Sequence, residues 1–148
     1  MNFLKVKKSD QYTIIVGCGR LGAGLANRLS LQNQDVLMMD EDEYAFRKLA
    51  TSYGGLTLIG DGRELNKLEE AEISKADIFI AVTDNDNTNL FLASIAKQIY
   101  GVKHVLTRIY DEEKADLLED MEVESFCPSE LSEKEIGRFM DWRISDED

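Results

Sequence analysis

Three glycines, Gly17, Gly19 and Gly22, stand in the run Ile15-Val16-Gly17-Cys18-Gly19-Arg20-Leu21-Gly22, and an acid, Asp40, closes the next apolar run, Val36-Leu37-Met38-Met39. Glycines spaced G-x-G-x-x-G between a strand and a helix handle phosphate. The first permits a tight turn, the second lets the backbone approach an anion, and the third lets helix and strand pack closely. The helix that opens near Arg20 points its free N–H groups and positive dipole end at the same anion. An acid about 20 residues on accepts the hydroxyls of a ribose. The expected chemistry is therefore binding of a nucleotide with free 2′ and 3′ hydroxyls, NAD(H) or ATP/ADP. NADP is disfavoured, because Asp40 and Glu41 would repel its 2′-phosphate. Arg20, inside the loop, adds a guanidinium that suits a further phosphate.

Two more segments carry candidate binding groups. Gly60-Asp61-Gly62-Arg63 follows the third apolar run, where Asp61 either caps the next helix or, with Gly62, offers contacts to an adenine edge. Thr83-Asp84-Asn85-Asp86-Asn87 follows the fourth; Thr83 would flank the phosphates and the later residues would cap a helix. Arg108 ends the fifth run, near the same edge, and its alternative role is an ion pair with an acid. No activated nucleophile, His–acid pair or metal-ligand cluster is present in the pattern, so no catalytic residue is expected.

These residues need a frame. Strand-like runs cover Tyr12 to Val16, Asp35 to Met39, Leu56 to Ile59, Asp77 to Val82 and His104 to Ile109, with a weaker sixth around Val123 to Phe126. Most are continuous apolar runs, as in strands covered on both faces, and they alternate with helix-like stretches. The fold expected is α/β, a Rossmann-like, doubly wound, six-stranded parallel sheet in a single domain. Leu21, Leu25, Ala26 and Leu29 mark the first helix, and Tyr44, Phe46, Leu49 and Ala50 the second. Leu65, Leu68 and Ile73 mark a short third. A fourth starts near Asn87 or Thr88, buries Leu90, Ala93, Ser94 and Ala96, and ends at Gly101. A fifth covers Glu112 to Asp120, and a last one follows Pro128 from Ser129 to Trp142. The organisation is a tail over residues 1–10, a nucleotide-binding domain over residues 11–142 and an acidic tail over residues 143–148. Phe139, Met140, Trp142 and Ile144 either pad this domain's own sheet or dock on another subunit.

With 148 residues and 43% hydrophobic content, one core needs no disulfide or metal support. A net charge of −12 makes a nucleic-acid partner unexpected. The longest apolar runs fall far short of the ~20 residues of a membrane helix, and no secretory leader is recognisable, so a cytoplasmic location is expected. Cys18 and Cys127 form no CxxC pair, and the single histidine, His104, reads as structural.

The glycine loop, Gly60-Asp61-Gly62, Ala81-Val82-Thr83-Asp84 with Asn89, Thr107-Arg108 and Cys127-Pro128-Ser129-Glu130, in this order, resemble the N-terminal RCK domain (regulator of potassium conductance, or Trk-type KTN domain). The resemblance implies a non-enzymatic, cytoplasmic regulatory subunit of a Trk/Ktr potassium-uptake system, peripheral to the inner face of the membrane through its partner. It would bind NAD(H) or ATP/ADP and gate a separate potassium-translocating membrane subunit. It also implies a homo-dimer or larger ring, and a C-terminal RCK-type domain that a separate chain could supply. Under this resemblance Gly17, Cys18, Gly19, Arg20 and Leu21 hold phosphates, with Arg20 reaching a terminal phosphate across a dimer. Asp40 holds the ribose, Asp61 and Gly62 meet the adenine, and Thr83 lies near ribose and phosphates. Glu130 corresponds to a glutamate implicated in divalent-cation binding between subunits, although Cys127 stands where many relatives carry histidine. The alternative is an NAD-dependent oxidoreductase or its cofactor-binding domain, which would require a substrate segment and a proton-transfer residue besides.

Overall fold

A computed structural model describes residues 11–142; the two tails and Ile144 lie outside the described residues. Six strands form one all-parallel sheet: β1 (Tyr12–Val16), β2 (Asp35–Asp40), β3 (Leu56–Ile59), β4 (Ile78–Ala81), β5 (His104–Arg108) and β6 (Glu124–Phe126). Their order in the sheet is β3-β2-β1-β4-β5-β6. The chain thus winds outward from β1 in one direction, returns to the middle, and winds outward in the other.

Alternation along each strand supplies two cores. Ile14, Val16, Phe79 and Ala81 pack on one face with residues of α2 (Leu65–Glu70), α3 (Asp86–Gln98) and α4 (Glu112–Asp120). Ile15, Ile80 and Val82 pack on the other with Ala23 and Ala26 of α1 (Arg20–Leu31). Phe79 is the largest fully buried side chain among the described residues, and its burial is worth roughly 2–3 kcal/mol relative to an exposed ring. The final helix, α5 (Pro128–Phe139), buries only Gly137.

Several local expectations shift. The second helical segment is a 3-10 helix over Glu43–Lys48, and its apolar residues do not form one buried stripe: Ala45 is buried while Tyr44 is exposed, with the Arg47 guanidinium 4.4 Å above its ring. Asn27 of α1 ends the segment early by accepting the Ala50 N–H at 2.8 Å. The third helix divides into α2 and a 3-10 turn, Ile73–Lys75, because Glu72 adopts the left-handed conformation, φ 60°. Helix α3 starts two residues earlier than expected, since Asn85 rather than Asn87 or Thr88 accepts the capping N–H, from Thr88 at 2.9 Å. Its buried face is Asn89, Leu92, Ala93, Ile95 and Ala96, whereas Leu90 and Ser94 are only half-buried. Helix α5 begins at Pro128 and ends at Phe139, short of Trp142.

Candidate functional site

Where the winding reverses, β1 and β4 lie side by side and their following loops diverge, which leaves a crevice at the carboxyl edge of the sheet. The crevice has a volume of about 500 Å³. The glycine loop forms its floor. Gly17 has φ +111°, and a Cβ there would sit 2.7 Å from the Val82 carbonyl group, so only glycine fits both backbone and space. A Cβ on Gly22 would collide with the Gly17 carbonyl oxygen, which explains the close approach of α1 to β1. Gly19 differs: a Cβ there would meet nothing within 4 Å. The packing of the protein does not itself require glycine at 19, and the space beside it is open.

The floor favours an anion. Gly19 caps α1 without a side-chain hydrogen bond, and the first turn of α1 carries no acid, so no side chain of the helix itself offsets its positive end. Beside the loop, Asp40 at the end of β2 accepts the Cys18 N–H at 2.8 Å through one carboxylate oxygen and the Asp42 N–H at 2.9 Å through the other. Each oxygen keeps a lone pair for a hydroxyl donor. The Cys18 thiol is buried and donates to the Ala45 carbonyl at 3.3 Å; burial, then the Asp40 charge, pushes its pKa up, so it is neutral.

Beyond Asp40, the loop after β3 supplies Asp61, Gly62 and Arg63. Asp61 does not cap α2, whose N-cap is Glu64. It binds Arg63 instead, accepting from the Arg63 Nε at 3.0 Å and Nη2 at 2.8 Å, and this guanidinium holds the Asp61 carboxyl below the usual carboxylate range. On the opposite wall, Thr83 and Arg108 line the crevice. Arg108 forms no ion pair among the described residues; its Nη2 donates to the Val82 and Thr83 carbonyls at 2.9 and 2.7 Å.

Of the residues singled out by sequence, Gly17, Cys18, Gly19, Asp40, Glu41, Asp61, Gly62, Thr83 and Arg108 line one crevice. Leu21 and Gly22 lie behind it in α1, and Arg20, exposed at the helix start, is outside its wall. Glu130 is exposed in the first turn of α5, and no metal-binding group of three or more His, Cys, Asp or Glu side chains occurs among the described residues. His104 is half-buried on β5 and away from the crevice; desolvation, then Lys103 and Lys97, lowers its pKa. Lys48 lines the crevice without any sequence signal, whereas Arg63 belongs to a candidate segment that assigns it no role of its own. Arg63 adjoins the Gly60-Asp61-Gly62 signal, but Lys48 arrives only because the 3-10 segment folds back over β2.

Residues 13–127, which take in the six strands apart from Tyr12 at the start of β1, match the family model of the TrkA-N domain. The chain belongs to that family. The chain is 40% identical over 106 residues to the Trk system potassium uptake protein TrkA of Streptomyces coelicolor, covering 72% of this chain and 48% of that protein. It is 30% identical over 137 residues to the Trk system potassium uptake protein TrkA homolog of Pyrococcus abyssi, covering 93% of this chain and 55% of the relative. The chain therefore spans about half the length of the curated relatives it matches. Among solved structures, the GsuK channel bound to NAD superimposes with a TM-score of 0.76 at 22% identity, covering 90% of this chain and 24% of the channel chain. GsuK bound to ADP gives 0.74 at 21% identity, with 90% and 35% covered. These two likenesses show that the chain shares its Rossmann-like fold with the matched part of GsuK.

Proposed function

We propose that this chain is a nucleotide-sensing regulatory subunit of a potassium-uptake system, with NAD(H) or ATP/ADP as its ligand and no catalytic role. The observation that carries the reading is the pairing of the open space at Gly19 with an α1 start that no side chain caps, beside a carboxylate, Asp40, that retains acceptor capacity. Those features suit a phosphate and a ribose. In this reading the backbone of Gly17, Cys18, Gly19, Leu21 and Gly22 holds phosphate and Asp40 holds ribose, with Glu41 excluding a 2′-phosphate. Asp61 and Gly62 border the base, and Thr83 and Arg108 close the far side. The naming of the TrkA relatives supports the potassium system, and the NAD and ADP complexes of GsuK support the ligand class.

A bound nucleotide supplies only differential binding free energy here, stabilising one packing of neighbouring subunits over another. Helix α5 is suited to transmit it. Leu131, Ile136, Phe139, Met140 and Trp142 are all more than half exposed, and Phe139 reaches 83%. Such an exposed apolar surface on α5 and the residues just after it fits a homo-dimer or larger ring better than padding of its own sheet. Arg20, outside its own crevice, is free to reach a neighbour's ligand. A divalent cation at Glu130 would need ligands from a neighbouring subunit, since the described residues gather no cluster there. The subunit would act at the cytoplasmic face of the membrane, through a potassium-translocating partner and, where needed, a separate C-terminal RCK-type chain. No described helix is long and apolar enough to cross a membrane.

Calorimetric titration with NAD, NADH, ATP, ADP and NADP tests this. Binding of at least one of the first four, with NADP weaker than NAD, is expected. Failure to bind any of them overturns the reading.

A further inference from the structure

Asn89, one turn into α3, is only 1% exposed and lies behind the crevice rather than in its wall. Its side-chain amide uses all of its hydrogen-bonding capacity. The Oδ1 accepts the Thr83 N–H at 3.0 Å and the Thr83 hydroxyl at 2.7 Å, while the Nδ2 donates to the Thr83 and Arg108 carbonyls at 3.0 and 2.9 Å. These partners fix the orientation of the amide, since the Thr83 N–H requires an oxygen and the carbonyls require an NH2. One side chain thus binds the end of β4 to the end of β5. Asp86, the first residue of α3, adds to the hold by accepting the Tyr110 and Asp111 N–H groups at 3.0 and 2.9 Å.

The connection continues beyond β5. The Ile109 N–H, next after Arg108, donates to the Phe126 carbonyl at 3.0 Å, and Phe126 is the partner of Arg108 in the register of β5 and β6. Cys127 follows directly as the N-cap of α5, and its carbonyl accepts the Leu131 N–H at 3.1 Å. A continuous path of polar contacts and backbone therefore runs from Thr83, in the crevice wall, to the helix that carries the exposed apolar surface. Continuity alone does not couple two places; an element with two arrangements must lie between them.

The Thr83 hydroxyl is such an element. It has a single proton, directed to Asn89 at 2.7 Å, with the Asn85 carbonyl a longer alternative at 3.3 Å. Because Thr83 lines the crevice, an acceptor oxygen of a bound ligand competes for that proton. When the ligand accepts it, the Asn89 oxygen keeps only the Thr83 N–H, and no water reaches so buried a site to replace the loss. Asn89 cannot shift to recover it without straining its bond to the Arg108 carbonyl.

We infer that Asn89 is a positioning residue that shares the Thr83 hydroxyl proton with the ligand of the crevice and relays occupancy, through β5 and β6, to the start of α5. This rests on the nucleotide-binding reading above and adds the route by which that site acts at a distance.

The test is amide hydrogen exchange in the whole chain, read at Ile109 and Leu131. It is measured with and without ADP or NAD, whichever binds wild type more tightly, at a concentration that calorimetry shows to be saturating for each variant. In wild type the nucleotide should change exchange at both amides by about fivefold or more, the scale of a modest coupling between sites. Thr83→Val lacks the hydroxyl and Asn89→Asp cannot, when ionised, donate to the carbonyls; both should cut that response to less than about twofold. Thr83→Ser keeps the hydroxyl and should retain the response. A purely structural role would alter exchange equally with and without nucleotide, leaving their ratio as in wild type. That result in Thr83→Val overturns the inference, and so does a wild type that binds nucleotide without any response. The Thr83 comparison decides even if Asn89→Asp does not fold. If wild type binds neither ADP nor NAD, the nucleotide-binding reading itself fails.

Discussion

The Asp40 carboxylate and the Cys18 amide are joined by a 2.8 Å hydrogen bond that ties the glycine loop to the end of β2. The other carboxylate oxygen takes the Asp42 N–H, so one side chain both braces the loop and faces the crevice. Asparagine has a single acceptor oxygen and would turn its NH2 toward one of the two amides. Asp40→Asn is therefore expected to lower stability by about 1 kcal/mol in urea titrations and nucleotide affinity by at least about tenfold. Unchanged urea midpoints would show that the bracing bonds contribute nothing.

The three loop glycines separate stability from binding. Gly22→Ala would drive a methyl group into the Gly17 carbonyl oxygen, and the variant should lose about 3 kcal/mol or fail to fold. Gly19→Ala has open space and an ordinary backbone, φ −83°, so its thermal unfolding should match wild type within about 0.5 kcal/mol. Its nucleotide affinity should nonetheless fall about tenfold or more, because the methyl group occupies the phosphate cradle. Normal affinity in Gly19→Ala would remove the argument from that cradle.

Acid sensitivity follows from the Asp61–Arg63 pair. Arg63 holds the folded-state pKa of Asp61 below its unfolded value, so the native state binds the proton less readily than the unfolded chain. The pair's stabilisation is complete above the ordinary carboxylate range and is lost as pH falls through the depressed folded value. In Arg63→Ala, the Asp61 carboxyl followed by carbon NMR should titrate at higher pH than in wild type. The acid limb of the stability curve should become shallower. An unmoved Asp61 midpoint would mean that the pair is absent in solution.

Helix α5 predicts self-association. Phe139 and Trp142 are 83% and 58% exposed, so replacing both with aspartate should cost the isolated fold little, within about 0.5 kcal/mol per site. Sedimentation velocity should show a dimer or larger species for wild type and a smaller one for the double variant, with unchanged circular dichroism. A monomeric wild type would sink the assignment of this face to a neighbouring subunit.

Much of the site can be read locally. The turn at Gly17, the packing at Gly22 and the carboxylate at Asp40 follow from residue type and spacing, because each answers a constraint within one βα unit. The strands are equally legible, since continuous apolar runs of β length mark a sheet covered on both faces. Local pattern is weaker where a neighbour intervenes. Asn27 cuts short the segment after β2, and Asn85 starts α3 early by out-competing Asn87 as its cap.

By itself, then, the sequence determined that a glycine loop, an acid at the end of the second strand and six parallel strands belong to one small α/β domain, because those features are written in backbone conformational limits and apolar periodicity. Only the tertiary structure decided that β1 meets β4, that Lys48 and Arg63 join the crevice, and that Arg20 stays outside it. It also decided that Arg108 is anchored by carbonyls rather than neutralised by an acid. Strand order and the partners of a charged side chain depend on contacts between residues far apart in the chain, which no local spacing encodes.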